Sequence, residues 1–260
     1  MQIKNIGKFH QIDKNGFIQN SCILPIQQPD YKVAVDEILS LLTRNLDKLI
    51  HSIYIRGSVA KGTAVPFISD IDTLIITTRN LTEKEKEIQK SIYTKITSKY
   101  DYVNGIELFF INIDECKDIK IQFLLKTQCG CISGNNIIDS INNFKLDESA
   151  FMHSDSFSES MKNIKEELDN ENDENEIVEI CVWMMKRIIR TGYETVMIQD
   201  NSYTRDLYPN YVVFSNYYPE KKEAMYNALV LAIHPTSDKI KIISVAENLI
   251  EFIIEKIKLS

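Results

Sequence analysis

The sequence has no long apolar run and no paired cysteines. No stretch approaches the roughly 18 apolar residues that a membrane-spanning helix needs, and the opening MQIKNIGKFHQ lacks a signal-peptide core. The five cysteines are scattered, without the C-x-x-C spacing or histidine cluster that indicates a zinc site. We therefore expect reduced thiols, no membrane association and a cytoplasmic location.

Basic residues are also too few for a general nucleic-acid binder. The chain has 37 acidic and 30 basic residues, and its net charge of −7 argues against broad contact with a phosphate backbone. Such a surface suits a small or cationic partner better, although many ordinary cytosolic proteins are acidic. We expect no broad nucleic-acid binding, and nothing in the composition indicates an oligomeric state.

The first half of the 260 residues alternates between helix and strand patterns. Periodic apolar residues predict a helix that Asp30 caps, and the capping-box pair Thr82 and Glu85 predicts a second helix. The short apolar runs predict strands at 52–56, 70–78 and 105–113. The pattern indicates an α+β domain with a mixed sheet and flanking helices, although the strand order cannot be read from it.

The second half begins with a polar segment and has a helical pattern beyond it. Its first part, 154–176, is rich in Ser, Asn, Asp and Glu and is the best candidate for a domain boundary, or else a solvated helix face or acidic loop. The apolar periodicity beyond it predicts an α-helical bundle. We expect two domains, 1–150 and 151–260.

Two features suited to binding a nucleotide and a metal ion occur in the segment IYIRGSVAKGTAVPFISDIDTLIITT. Gly57 lets the backbone approach a phosphate closely, and the Ser58 hydroxyl can bind its oxygens. Asp70 and Asp72 are two residues apart at a strand start, so both carboxylates can point to one site. Two carboxylates held that close favour a cation, and carboxylate oxygens suit Mg²⁺. Two such ions can clamp the attacking and leaving oxygens in an in-line displacement.

Glu107 supplies a third carboxylate. It interrupts the otherwise apolar strand IELFFINI, where a buried acid without a partner is costly. If its strand neighbours that of Asp70 and Asp72, it could ligate a metal or take a proton from an attacking hydroxyl. The alternative is an outward-facing glutamate on a half-exposed strand.

These residues resemble the nucleotidyltransferases of the DNA polymerase β-like superfamily, in particular the two-domain antibiotic adenylyltransferases that act on aminoglycosides. The shared pattern is an apolar strand, Gly-Ser, a spacer of about ten residues that here ends at Ser69, and Asp-x-Asp before another apolar strand. The resemblance implies an N-terminal nucleotidyltransferase domain followed by a helical domain, with the substrate between them.

The resemblance also implies roles for individual residues. Asp70, Asp72 and Glu107 would hold Mg²⁺, with Glu107 in the position of the base. Gly57, Ser58 and Ser69 would contact the nucleotide. Family members often supply a basic residue from the helical part to the triphosphate, and Lys186 and Arg205 are the candidates here. Arg187 and Arg190 are equally well explained as solvated charges near a helix C-terminus.

The expected reaction is transfer of a nucleoside monophosphate, by family default AMP from ATP, to an acceptor hydroxyl with release of pyrophosphate. A cationic aminoglycoside would suit an acidic cleft, but a lincosamide, another metabolite or a protein side chain would also fit. Two further readings stay open. One is a protein or RNA nucleotidyltransferase of the toxin–antitoxin type, and the other is a non-catalytic nucleotide-binding module.

Overall fold

The structure is a computed structural model that describes Ile3 and residues 5–259. Contacts between residues divide the chain into two compact units. One is Gln11–Lys145, here called the sheet unit. The other, here called the helical unit, comprises the described parts of Met1–His10 and Leu146–Ser260.

The sheet unit is built on a four-stranded mixed sheet. Its elements are helix α1 (Pro29–Leu46), strand β1 (Ile50–Arg56), the one-turn helix α2 (Gly57–Ala60), strand β2 (Ile71–Thr77), helix α3 (Glu83–Lys99), strand β3 (Ile106–Asn112), helix α4 (Ile119–Gln128) and strand β4 (Gly130–Gly134). The strand order is β3-β2-β1-β4, in which β2 and β3 are parallel and the other neighbours antiparallel. The predicted mixed sheet with flanking helices is confirmed.

Local sequence signals explain most of these elements. Thr82 and Glu85 form the predicted capping box, which starts α3, and Ile92 and Ile96 on its inner face are buried. The predicted cap at Asp30 is wrong, because α1 starts at Pro29, with Gln28 as its N-cap. Proline is favoured in the first turn because its missing N–H would have no partner there.

The core of the sheet unit lies between the sheet and its helices. It contains Val35, Ile38 and Leu42 of α1, Ile53 and Ile55 of β1, and Ile92 and Ile96 of α3. Strand β2 is buried along nearly its whole length, in keeping with its central position between two strands. The sheet is therefore a rigid support for the polar residues at its strand ends.

The helical unit contains helices α5 (Phe157–Asn170), α6 (Glu174–Glu194), α7 (Met197–Asp200), α8 (Leu207–Tyr217), α9 (Lys222–Ile233) and α10 (Lys239–Leu259). Short 3₁₀ helices in the chain are Ile113–Lys117, Ile138–Ser140, Glu148–Ala150, Ser154–Ser156 and Pro219–Lys221. The polar segment 154–176 folds mostly into α5, whose buried residues are Phe157, Met161, Ile164 and Leu168. Their spacing of three and four places them on one stripe, so this segment contributes to the core of the unit. Among the described residues, no helix combines the length and the apolar character that crossing a membrane requires.

Candidate active site

Three charged side chains form a row across three neighbouring strands. Arg56 at the end of β1 is paired with Asp72 on β2, and Asp72 is paired with Glu107 on β3. Residues directly opposite each other on adjacent strands project from the same face of the sheet. The register therefore brings a guanidinium and two carboxylates together on one face.

The guanidinium of Arg56 bridges both carboxylates. Its Nη2 atom lies 3.5 Å from Oδ1 of Asp72 and donates a hydrogen bond to Oε2 of Glu107. The side chains of Arg56 and Asp72 are only 17% and 15% exposed. Burial lowers the pKa of Arg56, but the charges of Asp72 and Glu107 outweigh it, so the net shift is upward. Arg56 was not among the predicted site residues.

Glu107 is neither a buried acid nor a detached surface residue. Its side chain is 46% exposed, yet it sits beside Asp72 and pairs with Arg56. Burial raises the pKa of Glu107, the positive charge of Arg56 lowers it, and the hydrogen bond and charge of Asp72 raise it. The net shift is upward, which brings the pKa closer to neutral pH, as suits a general base.

Gly57 packs its backbone against the carboxylate of Asp72. It follows β1 directly, starts α2 and has a φ of +72°, in the left-handed region that favours glycine. A Cβ at this position would lie 1.9 Å from Oδ2 of Asp72. Only glycine can therefore turn the chain here while Asp72 keeps its place.

Ser58 carries a buried hydroxyl that the described residues leave without a hydrogen-bond partner. Its backbone is engaged, because its carbonyl accepts the N–H of Thr63 at 2.9 Å. A buried polar atom without a partner costs about 1–3 kcal/mol, and in native proteins it often marks a ligand or water position. The Ser58 hydroxyl is therefore available to an oxygen or nitrogen of a ligand.

Asp70 and Ser69 lie in the loop that leads into β2. Asp70 is exposed. The pKa of Tyr31 is raised first by the burial of Tyr31 and second by the negative charge of Asp70. The hydroxyl of Ser69 accepts the N–H of Val65 at 2.9 Å, so it closes the loop in this structure. Within Ile3 and residues 5–259, no three acidic, histidine or cysteine side chains are grouped as metal ligands would be. Of the three predicted acids, the structure pairs Asp72 with Glu107.

The basic residues predicted to bind the triphosphate lie in the helical unit. Lys186 is on α6, and Arg205 precedes α8 and lines a small cavity with Arg190 and Glu194. Arg187 has a structural role, since it hydrogen-bonds Nδ1 of His153, Ser156 and Ser160. The roles of Lys186 and Arg205 stay predictions.

The residues at the row fit a magnesium ion by their chemistry. The carboxylate oxygens of Asp72 and Glu107 are hard ligands on adjacent strands. The backbone of Gly57 leaves no space for a side chain beside them, and the Ser58 hydroxyl has bonding capacity to spare. Asp70, two residues before Asp72, is the remaining carboxylate close to them along the chain.

The family comparison matches the same part of the chain. Residues 36–128 fit the family model described as the nucleotidyltransferase domain, and this range includes Arg56, Gly57, Asp72 and Glu107. The chain carries a nucleotidyltransferase domain. This assigns it to the nucleotidyltransferase class of enzymes, as the sequence pattern predicted. A comparison with curated proteins gave no match.

A solved structure extends the likeness beyond this domain. The chain is similar to spectinomycin adenyltransferase AAD(9) from Enterococcus faecialis, whose crystal structure contains ATP and spectinomycin. The TM-score is 0.54, the sequence identity is 16%, and the alignment covers 87% of this chain and 98% of that chain. At this identity the likeness by itself shows a common fold and no more; together with the nucleotidyltransferase domain at residues 36–128 it bears out the resemblance predicted from the sequence.

Proposed function

We propose that this nucleotidyltransferase transfers a nucleoside monophosphate from a nucleoside triphosphate, by default ATP, to a hydroxyl group of a small acceptor. The observation that carries the proposal is the pairing of Asp72 with Glu107 beside Gly57 and Ser58. This arrangement puts two carboxylates on one face of a rigid sheet, beside the turn that carries the Ser58 hydroxyl. Pyrophosphate is the second product.

Each side chain has a distinct task in this reaction. Asp72, with Asp70 and Glu107, would hold Mg²⁺, which when bound would neutralise phosphate charge and orient the triphosphate. Ser58 donates its hydroxyl to a phosphate oxygen, and Gly57 keeps the backbone clear of it. Glu107 accepts the proton of the acceptor hydroxyl, and its partial exposure leaves it accessible to that group.

The domain division at residue 150 and the nucleotide contacts of Ser69, Lys186 and Arg205 are part of the same proposal. For the acceptor, we propose a cationic small molecule of the aminoglycoside type. Two facts support this choice: the structural relative was crystallised with spectinomycin, and this chain has a net charge of −7. The negative net charge of the protein and the positive charge of such an acceptor favour their encounter.

The test is an assay of radiolabelled nucleoside triphosphates against aminoglycosides, lincosamides and cell lysate, with and without Mg²⁺. Labelled small-molecule product and pyrophosphate are expected from wild type. Asp72→Asn should lose the activity, because it removes a charge and a metal ligand without changing volume. Asp114→Asn, an exposed aspartate paired with Lys117, is the matched control and should retain it.

The assay separates the alternatives directly. Label on protein or RNA in the lysate, with none on small molecules, would replace the proposed acceptor by a macromolecule. Nucleotide binding without turnover on any acceptor, with Asp72→Asn equal to wild type, would indicate a binding module and contradict the proposal.

A further inference from the structure

Arg56 contacts two of the carboxylates that are proposed to hold the metal ion. It comes directly before Gly57, and its single Nη2 atom contacts a carboxylate on each of two neighbouring strands. Adjacent strands are about 4.8 Å apart, and only a long side chain can reach from β1 past β2 to β3. The guanidinium therefore lies among the same oxygens that are proposed to bind the divalent cation.

The charges explain why a cation is needed there at all times. Asp72 and Glu107 are neighbours on parallel strands, and Asp72 is 15% exposed, so water screens their repulsion poorly. Arginine stays protonated at every relevant pH. With Arg56 in place the three side chains sum to one negative charge, and without it they sum to two.

Arg56 is held mainly through its contacts to the two carboxylates. Its Nε atom is buried and has no hydrogen-bond partner in the part of the chain that the structure describes. The contacts of Arg56 to the carboxylates are thus its main fixed points, and a stronger cation can take them over.

We propose that Arg56 is a built-in counter-ion that competes with the divalent cation for Asp72 and Glu107. It stabilises the carboxylate pair when no nucleotide is bound and weakens the binding of free metal. A nucleotide offers phosphate oxygens to the displaced guanidinium, so metal binds better together with nucleotide than alone. The inference rests on the proposed function, because it assumes that these carboxylates are the metal ligands.

The test measures binding of Mn²⁺ alone, by the electron paramagnetic resonance signal of the free ion, without nucleotide. Arg56→Gln should bind Mn²⁺ at least about tenfold more tightly than wild type, since a positive charge close to the ligands is removed. Arg79→Gln is the matched control. It removes the same charge from an arginine that is 55% exposed and pairs with Glu85 beyond the other end of β2, so it should bind like wild type.

Unchanged or weaker Mn²⁺ binding in folded Arg56→Gln would overturn the inference, because the guanidinium would then not compete. Thermal unfolding reports whether that variant folds. If it does not, Arg56→Lys takes its place. The shorter lysine side chain lacks the planar fork and competes less well for the two carboxylates, so this variant should bind Mn²⁺ more tightly than wild type. Equal or weaker binding overturns the inference.

Asp72→Asn distinguishes this inference from the proposed function. If it loses Mn²⁺ binding while Arg56→Gln equals wild type, the metal site stands and only the role of Arg56 is wrong. If Asp72→Asn binds Mn²⁺ as wild type does, the metal site lies elsewhere, and both the inference and the proposed function fail.

Discussion

Two glutamates of this protein are held in opposite ways. Glu194, at the end of α6, is 6% exposed, and its carboxylate accepts the backbone N–H groups of Met152, His153 and Ser154 at 2.9, 3.1 and 2.9 Å. The Ser154 hydroxyl adds a fourth bond at 2.6 Å. Glu107 is 46% exposed, and its partners are the side chains of Arg56 and Asp72. A carboxylate that is held by backbone N–H groups is structural, whereas one that is held by side chains can exchange these partners for a ligand.

The direction of the pKa shift does not distinguish them. Burial raises the pKa of Glu194, although its four hydrogen bonds oppose that shift. Burial also raises the pKa of Glu107, with Arg56 opposing and Asp72 reinforcing. The difference between a functional and a structural acid lies in which groups satisfy its oxygens and whether those groups can leave.

The largest effect should follow from Glu107→Gln, which keeps the shape but cannot accept a proton. Turnover should fall by about 10² to 10⁴, as for a lost general base. Initial rates at saturating ATP and nucleotide binding by calorimetry measure it. An unchanged nucleotide affinity would identify Glu107 as the base, and a parallel loss of affinity would identify it as a metal ligand. Unchanged rate and affinity would contradict both roles.

Substitution of Glu194 should instead affect the stability of the fold. Glu194→Ala should lower the free energy of unfolding by about 3–5 kcal/mol, because it leaves several buried N–H groups unpaired. Glu107→Ala should lower it by less than about 1 kcal/mol, as for a partly exposed ion pair. Urea unfolding of both variants beside wild type gives the values. Equal losses would remove the distinction between the two acids.

The sequence revealed Glu107 but not Glu194 or Arg56. Glu107 stands out because it interrupts an apolar strand. The donors that hold Glu194 are backbone N–H groups about forty residues earlier, which no side-chain pattern encodes. Arg56 shows only as a charge that ends an apolar strand, and its partners follow from the strand order, which cannot be read from the sequence.

Elements with local signals could be predicted, and elements defined by tertiary contacts could not. The capping box at Thr82 and the Gly57-Ser58 turn are encoded within a few residues and were found where expected. The polar stretch 154–176 has a low apolar content, yet its few apolar residues share one helix face and complete the helical core. Whether such a stripe is buried depends on what packs against it.

Gly57→Ala tests whether the carboxylate site depends on its close backbone contact. Alanine at a positive φ costs about 1–2 kcal/mol, and its Cβ would also displace the Asp72 carboxylate. We expect that loss of stability together with reduced turnover. Gly16→Ala is the matched control: its φ is +83°, but no atom lies within 4 Å of the added Cβ. It should lose similar stability and keep full turnover, and equal turnover in both variants would contradict the role of the contact.

The smallest effect is a pH dependence of stability, and its sign differs between Glu194 and Glu85. The folded-state pKa of Glu194 is raised by burial, so its contribution to stability is present below the ordinary carboxyl pKa and lost as the pH rises through the folded value. The pKa of Glu85 is lowered to about 2, first by its hydrogen bond to Arg79, so its contribution is present at neutral pH and lost as the pH falls towards 2.

Glu194→Gln and Glu85→Gln turn these opposite signs into one measurement. The unfolding free energy of wild type minus that of Glu194→Gln should decrease as the pH rises from about 4, by at most about 1.4 kcal/mol per pH unit for a single proton. The same difference for Glu85→Gln should decrease as the pH falls below about 4. Urea titrations at half-unit steps from pH 3 to pH 8 suffice. Slopes of the same sign would show that the backbone donors of Glu194, rather than its burial, set its titration, and the contrast between the two kinds of acid would then rest on their partners alone.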